Sequence, residues 1–170
     1  MKRRSRYRGP VAPEDGTGVK FAAATAKRIS LGQVTQSVNL LMKINKFEDI
    51  EAWQEARKLV GMVYNAIKSN EQFKRDYRLV GQIQGASVST MSNIAEGFSR
   101  KSNKEFIQYL FISKSSSAEV QSHLYVALDQ KYISKEAFEK IYKQAEKVSK
   151  MDSGFIKYLR SQLNKPNKPK

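Results

Sequence analysis

The chain has 170 residues, with 31 Lys and Arg against 16 Asp and Glu, one His and no Cys. That length suits one domain, or a domain with a tail, while the missing cysteines exclude a disulfide scaffold, thiolate metal sites and Cys nucleophiles. A net charge of +15 favours a polyanionic partner, most simply nucleic acid, with an anionic membrane surface second.

Charge is densest at the start: residues 1–45 hold nine basic and two acidic residues, against 22 and 14 in 46–170. The opening carries Lys2, Arg3, Arg4, Arg6 and Arg8, then the turn formers Gly9, Pro10, Pro13, Gly16 and Gly18. No apolar h-region or small-residue cleavage site follows, so this is not a signal peptide pattern. No run approaches the ~20 apolar residues of a membrane span, and a cytoplasmic protein is expected. Apolar periodicity is weak over 19–44. Two readings of 1–45 stay open, a functional and largely flexible basic arm or a leader ahead of a domain that begins near Met42. The tail 164–170, with Pro166, Pro169 and three lysines, is expected to be disordered.

Helical periodicity begins at Glu48 and runs to about Asn70, with Ile50, Trp53, Ala56, Val60, Val63 and Ile67 inward. Asn70 and the charged run to Asp76 break it. A second helix spans about Tyr77 to Glu96, burying Leu79, Ile83, Ala86, Thr90 and Ile94. Ser102 to Glu105 reads as a capping box. It opens a third helix whose seam is Phe106, Leu110, Ser113, Ser117, Val120, Leu124 and Ala127. Ser134 is the expected N-cap of a fourth helix, with Phe138, Ile141, Ala145, Val148, Asp152, Phe155 and Leu159 inward. Short connections force antiparallel neighbours, so the expected fold is an all-α, up-down-up-down four-helix bundle over 46–163.

Two features exceed the fold. The third helix carries a second apolar strip, Ile107, Phe111, Ala118 and Tyr125, read as a subunit interface; a wide core face is the plainer alternative. Asp152 sits in the seam of the fourth helix, where an unpaired carboxylate is costly, so it is expected to meet a cation or lie where the bundle frays.

Catalytic candidates are few: Glu96, Glu105, Glu119 and His123. Di-iron bundles need Glu-x-x-His pairs on two helices, whereas Glu119 and His123 stand four apart without a second pair. They read as an i,i+4 surface pair. No phosphate-loop or dinucleotide-binding glycine motif occurs. The expectation is no catalytic residue, no metal and no cofactor.

Basic residues point further. Arg100, Lys101 and Lys104 lie beside the start of the third helix, where free N–H groups favour an anion. Lys140, Lys143, Lys147 and Lys150 form one stripe on the fourth helix, roughly opposite its seam, which is either a plain solvent face or a phosphate-binding one. Lys74, Arg75 and Arg78 form a third cluster at the other end.

Three segments carry a resemblance. Phe47-Glu48-Asp49-Ile50-Glu51-Ala52-Trp53-Gln54-Glu55-Ala56, then Ser92-Asn93-Ile94-Ala95-Glu96-Gly97-Phe98, then Ser117-Ala118-Glu119-Val120-Gln121 occur in order. They resemble the motifs of the bacterial four-helix-bundle proteins encoded in intervening sequences of large-subunit ribosomal RNA genes, over about 46–160. The resemblance implies a homo-oligomeric ring, typically a pentamer. A distant branch with the same bundle serves as accessory protein of diversity-generating retroelement reverse transcriptases. No catalytic residues are implied. Met91 stands where the family commonly has Pro, Asp152 where it is usually apolar, and Ser116 where Gly is frequent. Asn93 and Glu96 read as a polar pair ending the second helix and fixing the turn into the third.

The expected protein is therefore a non-enzymatic, basic, oligomeric bundle that binds RNA or DNA backbone. The residues expected to bind are Arg3, Arg4, Arg6, Arg8, Arg100, Lys101, Lys104 and the stripe Lys140 to Lys150. The alternative is a reverse transcriptase accessory subunit.

Overall fold

The computed structural model describes residues 44–100 and 102–163, and all of their regular structure is helical. A 3-10 turn, Phe47–Asp49, precedes α1 (Glu51–Lys68), the five-residue α2 (Glu71–Arg75), α3 (Tyr77–Ser99), α4 (Asn103–Asp129) and α5 (Lys135–Leu163). The first long helix starts later than its periodicity suggests. The Asp49 carboxylate accepts from the backbone N–H groups of Asn45 and Lys46 at 3.2 and 3.3 Å, which tightens the entry into a separate turn.

Capping residues explain most other boundaries. Asn70 accepts from Phe73 N–H at 2.9 Å and starts α2, and Asp76 accepts from Leu79 N–H at 3.0 Å and starts α3. Ser102 and Ser134 cap α4 and α5 through the N–H groups of Glu105 and Ala137. Only the Ser102 half of the expected capping box forms, since the Glu105 carboxylate makes no return bond among the described contacts. The charged run 71–76 is more structured than its sequence suggests. In α2 it buries Phe73, which stacks on Tyr132 with centroids 5.1 Å apart.

α1 packs against α3 and α5, and α4 packs against the same two helices, so α1 and α4 face each other across the diagonal. Pairings such as Glu96 with Tyr109 and Ser89 with Ser116, or Phe106 with Phe155 and Tyr125 with Phe138, make α3–α4 and α4–α5 antiparallel. This is the expected four-helix bundle. Its core has two apolar clusters. One gathers Leu59, Val63, Phe73, Ile83, Leu124 and Ile141, and the other Ala56, Ile94, Phe106, Leu110, Val148 and Ile156. Between them lies a buried polar layer of Ser87, Thr90, Ser113, Ser116, Ser117 and Asp152.

The seams differ from the sequence reading in detail. Leu59, not Val60, is fully buried in α1, and Ile156 replaces Phe155 as the buried residue of α5. Phe138, Phe155 and Trp53 are half-buried at the edges of the clusters. Helix α3 runs without interruption through Met91. Ser116 bonds Ser89 across the α3–α4 contact, their hydroxyl oxygens 2.9 Å apart.

Candidate nucleic-acid interface

The α3–α4 turn is built around a polar triangle. Glu96 Oε1 accepts from Tyr109 Oη at 2.8 Å and from Arg100 Nη2 at 2.5 Å, and Arg100 also meets the Tyr109 hydroxyl. The guanidinium lies 4.9 Å from the Tyr109 ring centroid. The hydrogen bond from Tyr109 and the Arg100 charge together hold the Glu96 carboxyl below the usual carboxylate range. Glu96 thus fixes the turn as expected. Asn93 does not reach it, because its amide donates to Ser89 O at 2.8 Å within α3. Arg100, a predicted phosphate ligand, is committed to this triangle, while Lys104 is exposed beside the α4 N-terminus and forms no ion pair among the described residues. Lys101 lies outside the described residues, as do Arg3, Arg4, Arg6 and Arg8.

The lysine stripe of α5 is largely neutralised. Lys140 pairs with Glu136 at 2.7 Å, Lys150 with Glu146 at 2.9 Å, and Lys147 with Glu55 of α1 at 2.9 Å. Glu55 is the centre of an α1–α5 clamp. It accepts from Gln144 Nε2 at 2.8 Å and from Lys58 Nζ at 2.7 Å, and with Lys147 these donors pull its pKa to about 2. Lys143 alone of the four has no carboxylate partner among the described residues. In the third cluster Lys74 pairs with Glu71, leaving Arg75 and Arg78 unpaired there.

The apolar strip of α4 is divided by the fold. Ile107 is 8% exposed and belongs to the core, which corrects its expected place on an interface. Phe111 and Tyr125 are exposed, with Ile112 and Val126 beside them, a pair the sequence reading omitted. Ala118 is exposed between them. Tyr125 packs edge-on against Phe138 and Tyr142 of α5, at 4.9 and 6.0 Å.

Asp152 neither meets a cation at bonding distance nor lies at a frayed end. It is fully buried, one oxygen 2.6 Å from Ser113 Oγ and the other without a partner. Burial pushes its pKa up to about 7, against opposing pulls from Ser113 and from Lys114. Ser113 has one hydroxyl proton and two acceptors in reach, this carboxyl and the Thr90 carbonyl at 2.9 Å. A protonated Asp152 resolves the conflict by donating to Ser113 while Ser113 donates to Thr90.

His123 Nε2 lies 3.5 Å from Glu119 Oε1, the expected i,i+4 pair, although without a hydrogen bond. Among the described residues no three His, Asp or Glu side chains converge on a point, and no helix is long and apolar enough to cross a membrane. Sequence reasoning missed Lys114, Lys157 and Arg160, which approach Phe111 from two helices and therefore form no stripe in the sequence.

Comparison with known proteins gives two positive findings. Residues 48–154 match a family model described as 23S rRNA-intervening sequence protein. A similar solved structure is the 1.70 Å crystal structure of a protein of unknown function from the S23 ribosomal protein family of Bacteroides thetaiotaomicron. It is 22% identical, covers 62% of this chain and 98% of that one, and superposes with a TM-score of 0.58. At that identity the likeness speaks for the fold. No curated protein matches the chain.

Proposed function

Because the chain belongs to the 23S rRNA-intervening sequence protein family, we propose that it is a non-enzymatic, oligomeric bundle that binds RNA or DNA mainly through the phosphate backbone. The observation that carries this is where the charge lies. The described residues hold 18 basic and 14 acidic side chains, so the segments outside them hold 13 basic and two acidic ones. Within the bundle, acids neutralise much of the base. Outside it, the surplus has almost nothing to oppose it, as in a chain that contacts a polyanion through basic flanks.

Backbone binding is tested by titrating a structured RNA with full-length protein at several salt concentrations, read by anisotropy. Micromolar or tighter affinity with a steep salt slope is expected. Replacing Arg3, Arg4, Arg6 and Arg8 by Gln should lower that slope by about 3, at ~0.7–0.9 per lost phosphate contact. An absence of binding at low salt overturns the reading.

The exposed strip of Ala118, Tyr125, Ile112 and Val126 supports assembly of copies through α4. The same strip favours a second reading, an accessory subunit for a reverse transcriptase. That reading predicts weak RNA binding by the protein alone and tight binding only with the polymerase.

A further inference from the structure

A cleft of about 250 Å³ opens between α4 and the second half of α5. Phe111, Lys114, Ser153, Ile156, Lys157 and Arg160 line it. Three of the six are cations, none is acidic, and none of the three cations forms an ion pair among the described residues. This sets the cleft apart from the α5 stripe, where carboxylates occupy three of four lysines. The cations are also gathered rather than splayed. Arg160 lies 5.4 Å and Lys114 5.8 Å from the centroid of the Phe111 ring, whose quadrupole attracts both. Asp152, next in sequence to Ser153, is fully buried behind the cleft and offers no carboxylate at its mouth.

Three like charges around one opening repel one another, and an anion seated among them relieves that repulsion. We propose that this cleft seats a phosphodiester of an RNA strand, with Lys114, Lys157 and Arg160 on the phosphate oxygens and the exposed edge of Phe111 against the adjoining nucleoside. The site deepens the backbone-binding reading and rests on it. The volume, about 250 Å³, is on the scale of a single nucleotide of a strand. Covering Phe111 with a second copy of the chain would instead desolvate Lys114 and Arg160 without supplying a counter-charge from this face.

The test uses full-length protein and a fluorescent single-stranded RNA between 50 and 200 mM salt. Lys114→Gln, Lys157→Gln and Arg160→Gln are combined in one variant. A control combines Lys68→Gln, Lys131→Gln and Lys135→Gln, three exposed lysines at the opposite end of the bundle that are likewise unpaired among the described residues. The cleft variant should lose about 0.7 from the salt slope, the ~0.7 of one phosphate on a single strand, so its affinity drop over that range is roughly 2.5-fold smaller. The control should keep the wild-type slope. Phe111→Ala should weaken binding at least ~5-fold with the slope unchanged, the mark of a lost ring contact. Matching thermal melts show that each variant is folded. If wild type binds and the cleft variant keeps its slope, or the control loses as much, the site is overturned while backbone binding stands. If wild type binds no RNA, both fall.

Discussion

Lys147 on α5 donates to Glu55 on α1 at 2.9 Å, although its place in the lysine stripe points to solvent. Glu55 is held from three sides, and its side chain is only 12% exposed. The pair therefore belongs to the bundle's packing. Lys147→Gln should cost about 1 kcal/mol of stability, read as a lower urea midpoint, and leave the salt slope of RNA binding unchanged. The pH dependence has a defined sign. Glu55's folded pKa, about 2, lies below its ordinary 4.5, so its contribution is complete above pH 4.5 and is lost as pH falls towards 2. Glu55→Gln should flatten that acid limb. A slope change in Lys147→Gln without loss of stability would return the residue to the phosphate-binding set.

Asp152 acts in the opposite direction. Its folded pKa, about 7, stands above the ordinary 3.8, so the folded chain holds a proton that the unfolded chain releases. Stability should be highest below pH 3.8 as far as this group is concerned, fall through the interval, and level off above pH 7. The decline is bounded by ~1.4 kcal/mol per pH unit. Asp152→Asn keeps the shape and can donate to Ser113, so it should raise the melting temperature at pH 8 by at least ~5 °C and little at pH 4. Equal melting temperatures at pH 8 would show that the buried carboxyl stays ionised without cost.

The four long helices were legible because their apolar residues recur three or four positions apart over five turns or more, interrupted only by Thr90, Ser113, Ser117 and Asp152. The caps Ser102 and Ser134 were legible for the same local reason. What the pattern could not show is which of two adjacent apolar residues turns inward, as with Val60 and Leu59, since both lie within one helix face and the neighbouring helix decides. Phe73 was missed because α2 is a single turn with no period to read. The basic stripe was visible, but its partners were not. Glu136 and Glu146 lie one turn away in sequence, whereas Glu55 is brought to Lys147 only by the fold. The cationic cleft was illegible for that last reason, being assembled from α4 and α5. Ile107 and Phe111, one turn apart, read as one strip, yet Ile107 joins the second apolar cluster while Phe111 stays 44% exposed.

Gly97 marks a close approach of α3 to α4. A Cβ there would lie 2.5 Å from Phe106 Cδ2 and 2.7 Å from Tyr109 Cβ. The second contact involves an atom fixed to the backbone, so rotation of a side chain cannot relieve it. Gly97→Ala should therefore cost about 1–3 kcal/mol by overpacking, despite the better helix propensity of Ala. It should also strain the Glu96–Tyr109 bond on the same turn. Tyr109→Phe, which removes only the hydroxyl, should cost about 1 kcal/mol and serves as the reference for that loss. A Gly97→Ala variant as stable as wild type in urea would mean that the two helices can slide apart at this turn.

Assembly is tested most directly on the upper part of the α4 strip. Tyr125 is 52% and Val126 43% exposed, with exposed Ala118 about two turns below them, and Tyr125 keeps that exposure although one edge of its ring packs on Phe138 and Tyr142. Burying a large apolar side chain contributes ~1.5–3 kcal/mol, so a repeated contact through this patch can hold copies together. Tyr125→Asp with Val126→Asp should convert an oligomer to a monomer in sedimentation velocity, while the far-ultraviolet circular dichroism stays helical. Lys114→Gln with Arg160→Gln, lower on the same face, should leave the sedimentation coefficient unchanged if Phe111 belongs to the cleft rather than to the contact between copies. A wild type that sediments as a monomer at tens of micromolar would remove the second copy as the occupant of this strip and leave a different protein in its place.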